Sequence, residues 1–124
     1  GYGSSLCCPP HSPTHDDIRA VIDCYERALL IHCKPGVRVK EIVATLEREA
    51  FLDGFYRAFG LGEGPCHLCD ECTLDRCRHP REARPAMEAC GIDVYATVRG
   101  NGFPIEVVTN REDDRNFYGV LLIE

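Results

Sequence analysis

Four cysteines within a run of twelve residues, Cys66, Cys69, Cys72 and Cys77, constrain this chain more than any other feature. Their spacing is C-x2-C-x2-C-x4-C, and Pro80 follows closely. Two-residue spacers let the backbone curl so that successive sulfurs turn into one concavity, leaving loop N–H groups free to bond what fills it. The bacterial cluster-binding run C-x2-C-x2-C-x3-C-P is one residue shorter before its last cysteine. All-cysteine zinc sites more often draw two C-x2-C pairs from separated stretches. Four thiols in one loop therefore point first to an iron–sulfur core of the 4Fe-4S type, with zinc as the alternative.

Nine cysteines are an odd number, and three of the loop thiols are too closely spaced to pair with one another. A reduced metalloprotein fits this better than a disulfide framework. The opening Gly1-Tyr-Gly-Ser-Ser lacks the basic and apolar regions of an export signal, so the expected compartment is the cytoplasm. No apolar run approaches the ~20 residues of a membrane span. A formal net charge of −6 argues against nucleic acid as a partner, since that needs a basic footprint.

The expected fold is α+β: two main helices plus short helices packed on a small antiparallel sheet, with the Cys-rich loop in mid-chain. At 124 residues this is one domain, 1–124. Three prolines between Pro9 and Pro13 exclude a helix there and favour an extended polyproline segment. Thr14 and Asp17 form a capping-box pattern, and Ile18, Val21, Ile22, Tyr25 and Leu29 predict a helix over about 15–32. A second helix is expected over about 38–59, with Gly54 interrupting its pattern. Gly60, Gly62, Gly64 and Pro65 then lead into Cys66.

Short helices are expected near Pro80 and Pro85, the latter capped by Gly91. A further helix over 94–100 is capped by Asp93. Two strands finish the chain, Ile105–Thr109 and Phe117–Ile123. Both faces of the last are largely apolar, which makes it central or covered on both sides.

Five segments, in this order, resemble the predicted metal-binding proteins of domain-of-unknown-function family 2284. They are Cys8-Pro-Pro-His-Ser-Pro-Thr14, Gly64-Pro-Cys-His-Leu-Cys-Asp-Glu-Cys72, Cys77-Arg-His-Pro80, Arg84-Pro-Ala-Met-Glu-Ala-Cys-Gly-Ile-Asp93 and Gly102-Phe-Pro-Ile105. The resemblance implies metal binding but no settled reaction. It also implies an N-terminal stretch ahead of the Cys8-Pro-Pro motif. A third strand for the C-terminal hairpin is accordingly expected from such a stretch, or from a second subunit in a homo-oligomer.

Cys66, Cys69, Cys72 and Cys77 are the expected ligands, with Cys8 and His11 as further candidates, and the proline-rich segment is expected to lie against the loop. Cys24, Cys33 and Cys90 read as small buried hydrophobes, and Cys7 carries less weight than Cys8. Arg76, Arg78, His79, Arg81 and Arg84 follow the loop. They would offset the negative charge of a thiolate-bound core, form a docking patch, or simply balance Asp70, Glu71, Asp75 and Glu82. The chain carries no Ser-His-Asp arrangement, phosphate loop or dinucleotide fingerprint. The leading expectation is a small iron–sulfur protein that passes single electrons to a redox partner. The alternatives are a structural zinc-binding or interaction module, and an enzyme with a three-cysteine cluster and an open iron.

Overall fold

The computed structural model describes residues 1–105 and 115–124. Along the chain come α1 (His15–Ile22), β1 (Ala28–Cys33), α2 (Val39–Leu52), β2 (Phe59–Leu61), a short 3-10 helix (Glu88–Cys90), α3 (Val94–Gly100) and β3 (Phe117–Leu122). The class is α+β, as the sequence predicts. The sheet is antiparallel in the order β1-β3-β2. Among the described residues no helix is long and apolar enough to cross a membrane.

The expected first helix starts where its signals put it. The Thr14 hydroxyl accepts from the Asp17 N–H at 3.2 Å, and the Asp17 carboxylate accepts from the Thr14 N–H and hydroxyl. These bonds hold the Asp17 carboxyl below its ordinary range. The helix nevertheless ends at Ile22 rather than at 32. Ala28-Leu-Leu-Ile-His-Cys33 is a continuous apolar run, which periodicity alone cannot assign to helix or strand. Pairing with β3 decides it, from Ala28 opposite Leu122 to Cys33 opposite Phe117.

The second helix is also shorter than 38–59. Gly54 adopts φ +102, a left-handed conformation that halts α2 just beyond Leu52 and returns the chain toward the sheet. Phe59–Leu61 then becomes β2, so both neighbours of β3 come from this chain. The third strand expected from a second subunit or an N-terminal stretch is thus supplied by the chain itself, with β2 pairing Val120–Leu122. The other expected terminal strand, Ile105–Thr109, lies outside the described residues except for Ile105.

The expected helix near Pro80 is a turn. Near Pro85 the helix starts late, at Glu88, because Ala86 first forms a parallel bridge with Gly62. There Gly62 N–H donates to Pro85 and Met87 N–H to Gly62, each at 3.0 Å. Gly91, at φ +82, and Asp93 cap their elements as predicted. The N-terminal prolines lie in successive turns instead of an extended segment. The Cys8 carbonyl accepts from the His11 and Ser12 N–H groups, which coils the chain.

Packing places the sheet between two layers. On one face Val39 and Val43 of α2 press on Cys33 and Phe117. On the other, Tyr118 and Leu61 pack with Ile18, Met87, Cys90 and Val98. Gly119 is what lets α2 approach so closely. A Cβ there would lie 2.7 Å from Val43 Cγ2, 2.8 Å from Val39 Cγ1 and 3.1 Å from the Leu61 carbonyl oxygen. Gly119→Ala should therefore destabilise the fold by about 2 kcal/mol through overpacking. The expected sign is a lower denaturant midpoint at unchanged slope; an unchanged midpoint would refute the close packing.

Candidate metal centre

The loop from Gly64 to Arg84 is held at both ends and has no regular secondary structure between them. Its start is tied by the bridge between Gly62 and Ala86, and by the Gly64 N–H donating to Glu88 Oε1 at 2.8 Å. Its end is tied by Arg84. The Arg84 guanidinium donates to both carboxylate oxygens of Glu47 on α2, with both side chains 15% exposed. Glu47 Oε2 also accepts from the Gly60 N–H of β2 at 2.6 Å. One carboxylate thus joins helix, sheet and loop.

Within this frame the loop sulfurs come together. Cys66, Cys69, Cys72 and Cys77 line one cavity, and Ser5, Leu6 and Cys7 close it from the N-terminal side. All nine cysteines are free thiols. The cavity offers about 30 Å³ to water-sized spheres, room for about two waters at ~10–15 Å³ each. Among the described residues no three Cys, His, Asp or Glu side chains converge closely enough to hold a single metal ion. The sulfurs ring a space instead of meeting at a point.

Backbone donors face these sulfurs. The His79 N–H donates to Cys77 Sγ at 3.3 Å. Bonds from the Leu74 and Leu6 backbone, with a smaller contribution from Arg78, pull the Cys72 thiol below its usual range. Leu74 reaches this position at φ +58, a left-handed conformation uncommon outside glycine. Cys69 and Cys72 also border an open cleft of about 710 Å³, next to Asp70, Glu71 and Arg78. Cys66 borders a second groove of about 760 Å³ that carries Lys40, Arg48, Arg81 and Arg84.

Ser5, Leu6 and Cys7 lie against the loop, in place of the Cys8-Pro-Pro segment and His11 that the sequence predicts there. Cys8 is buried beneath Gly1, and its sulfur accepts from the Ser5 hydroxyl at 3.3 Å. His11 is exposed. Neither lines the cavity, whereas Cys7 does. Burial and the neighbouring Cys66 push the Cys7 thiol up to about 11, with Lys40 opposing the shift. The spacing in Cys7-Cys8-Pro-Pro gives no hint of which thiol turns inward; only the turns that bury Cys8 decide it.

Cys33 and Cys90 belong to the two core clusters, where burial raises their thiols. Cys24 is exposed and bonds the Ala20 carbonyl at 3.4 Å. These three do not line the cavity.

The donor set fits a thiolate-bound metal centre, and one orphaned atom supports that fit. Lys40 Nζ is buried without a hydrogen-bond partner among the described residues, close enough to Cys7 and Glu63 to shift both. An unpaired buried ammonium is costly, and an anionic core beside Cys7 would compensate it. A core larger than two waters would spread the loop, which is exposed and has few internal bonds to break. Sequence reasoning missed Lys40 because its position on an amphipathic helix is that of any surface lysine.

No curated protein and no solved structure matches this chain. Residues 1–123 match the model of a family described as predicted metal-binding protein (DUF2284). With the thiol-lined cavity inside that matched span, the chain belongs to this family of predicted metal-binding proteins.

Proposed function

We propose that the protein holds an iron–sulfur cluster of the 4Fe-4S type through Cys66, Cys69, Cys72 and Cys77 and passes single electrons to a partner protein. The observation that carries this reading is that all four closely spaced loop thiols line one cavity and are served by backbone N–H donors. When bound, such a cluster supplies reversible one-electron chemistry.

The chain's own part is to set the conditions for that chemistry. Loop N–H groups and Lys40 offset negative charge at the sulfurs, which favours the more reduced state. The cleft beside Cys69 and Cys72 leaves one side of the loop open, so a partner can come within electron-transfer range. Nine free thiols suit a reducing compartment, and we assign the protein to the cytoplasm on that ground.

Purification without oxygen tests the reading. Brown protein with iron and acid-labile sulfide in equal amounts is expected, together with a paramagnetic signal on one-electron reduction that disappears on reoxidation. Stoichiometric zinc without sulfide would overturn the cluster. Iron and sulfide with no reversible reduction would overturn electron transfer.

A further inference from the structure

The cavity is lined by five thiols, one more than a four-cornered core requires, and the fifth comes from the far end of the sequence. Cys7 lies against Cys66 near Cys77, on the wall formed by Ser5, Leu6 and Cys7. The turns around it are firmly fixed. Gly3 N–H donates to the Pro9 carbonyl, and the Ser12 hydroxyl donates to the Ala89 carbonyl at 2.8 Å, tying the segment to the core. Cys7 therefore does not reach the cavity as a loose tail.

A second observation, independent of the sulfur count, points to the same wall. The buried Lys40 ammonium has no hydrogen-bond partner among the described residues, and Cys7 and Glu63 are among the groups it acts on electrostatically. A neutral thiol offers it little. The Glu63 carboxylate is one negative neighbour of this ammonium, and a metal-bound Cys7 thiolate would be a second, fixed in place.

We propose that Cys7 is a ligand of the metal centre, so that the ligand set joins the N-terminal turns to the Cys66–Cys77 loop and Lys40 offsets its charge. The inference builds on the thiol-bound centre described above but does not depend on which metal fills it. Binding takes the thiol proton to solvent as the metal–sulfur bond forms, with no change of oxidation state. One loop thiol is then left in reserve, able to take over a corner when another ligand is lost.

Cys7→Ser tests this, because serine keeps the size of the side chain and any packing role while removing the sulfur. Cys8→Ser and Cys24→Ser serve as controls outside the cavity. Metal and sulfide per chain, the electron paramagnetic spectrum and the midpoint potential are measured on anaerobic protein. In Cys7→Ser we expect metal content to fall by at least half, or, where the reserve thiol substitutes, a changed spectrum and potential at full content. Both controls should match the wild type. Wild-type content, spectrum and potential in Cys7→Ser would overturn the proposal. If the wild type holds zinc without sulfide, the iron–sulfur reading fails by itself. Cys7 is then judged by zinc content and by the sulfur-to-metal charge-transfer band of the cobalt-substituted protein, where an unchanged band overturns it.

Discussion

Cys69→Ser is expected to weaken metal binding, to the extent that the spare thiol fails to replace it, and to move the stability of the protein toward that of its metal-free form. The loop that carries Cys69 has almost nothing else to organise it. Its large apolar side chains, Leu68 and Leu74, are 42% and 43% exposed. Internal bonds are few, such as Arg78 to the Glu71 carbonyl and the Thr73 hydroxyl to the Arg76 carbonyl. In such a segment the free energy of metal binding is also the free energy of ordering. Cys69 lines both the cavity and the open cleft, so serine removes a ligand without opening a hole in a core. A loss of 1–2 kcal/mol would lower the melting temperature by roughly 4–10 °C in a domain of this size. Metal analysis and thermal unfolding read the two effects together. Full metal content with an unchanged spectrum and melting temperature would remove Cys69 as a ligand.

The parts of this structure legible in sequence are those specified by one or two local residues. Thr14 with Asp17 starts α1, Asp93 starts α3, and Gly91 closes the 3-10 helix, because each supplies a bond or a backbone angle that needs no distant partner. β3 was legible too, since apolar residues on both faces demand a covered strand. β1 and β2 were not. Leu29 continues the helical spacing of α1, and Phe59 continues that of α2, so the pattern runs a helix through most of β1 and another up to the start of β2. What converts them is their pairing with a strand nearly ninety residues further on in the case of β1, and sixty in the case of β2. Local pattern carries no information about such pairing, and only the left-handed Gly54 marked one of the breaks.

The site divides in the same way. Cysteine spacing gathers the loop thiols, because the short spacers confine them to one bend. Cys7 joins the cavity wall, and Lys40 comes beside Cys7, only through tertiary packing. For Cys7 the misleading cue was its neighbour: the resembled motif includes Cys8, and Cys8 is the thiol that the turns bury away from the cavity.

Glu47→Ala is expected to destabilise the fold by about 3 kcal/mol. Removing one member of a buried ion pair costs ~3–5 kcal/mol, because the partner is left charged and unsatisfied. The lower end applies here, since Glu47 and Arg84 each keep 15% exposure. Alanine would orphan the Arg84 guanidinium and also the Gly60 N–H, which lies in the edge strand β2 opposite Leu121. Glu47→Gln should lose about half as much, for it keeps one acceptor for Gly60 but offers no second carboxylate oxygen to the guanidinium. The damage should extend to the metal. Arg84 also donates to the Pro80 and Ala83 carbonyls, at 3.1 and 2.7 Å, and so fixes the end of the loop beyond Cys77. Once Arg84 is released, Cys77 is tethered only by the loop itself, and a chelator should draw metal from the variant faster than from the wild type. Denaturant midpoints and chelator release rates check the two effects separately. Wild-type values for both would show that the Glu47–Arg84 pair contributes nothing. Arg84→Lys sharpens the test: an ammonium has no planar fork to reach both carboxylate oxygens and the loop carbonyls together. That variant should keep the charge and still release metal early, which distinguishes geometric anchoring of the loop from simple charge balance.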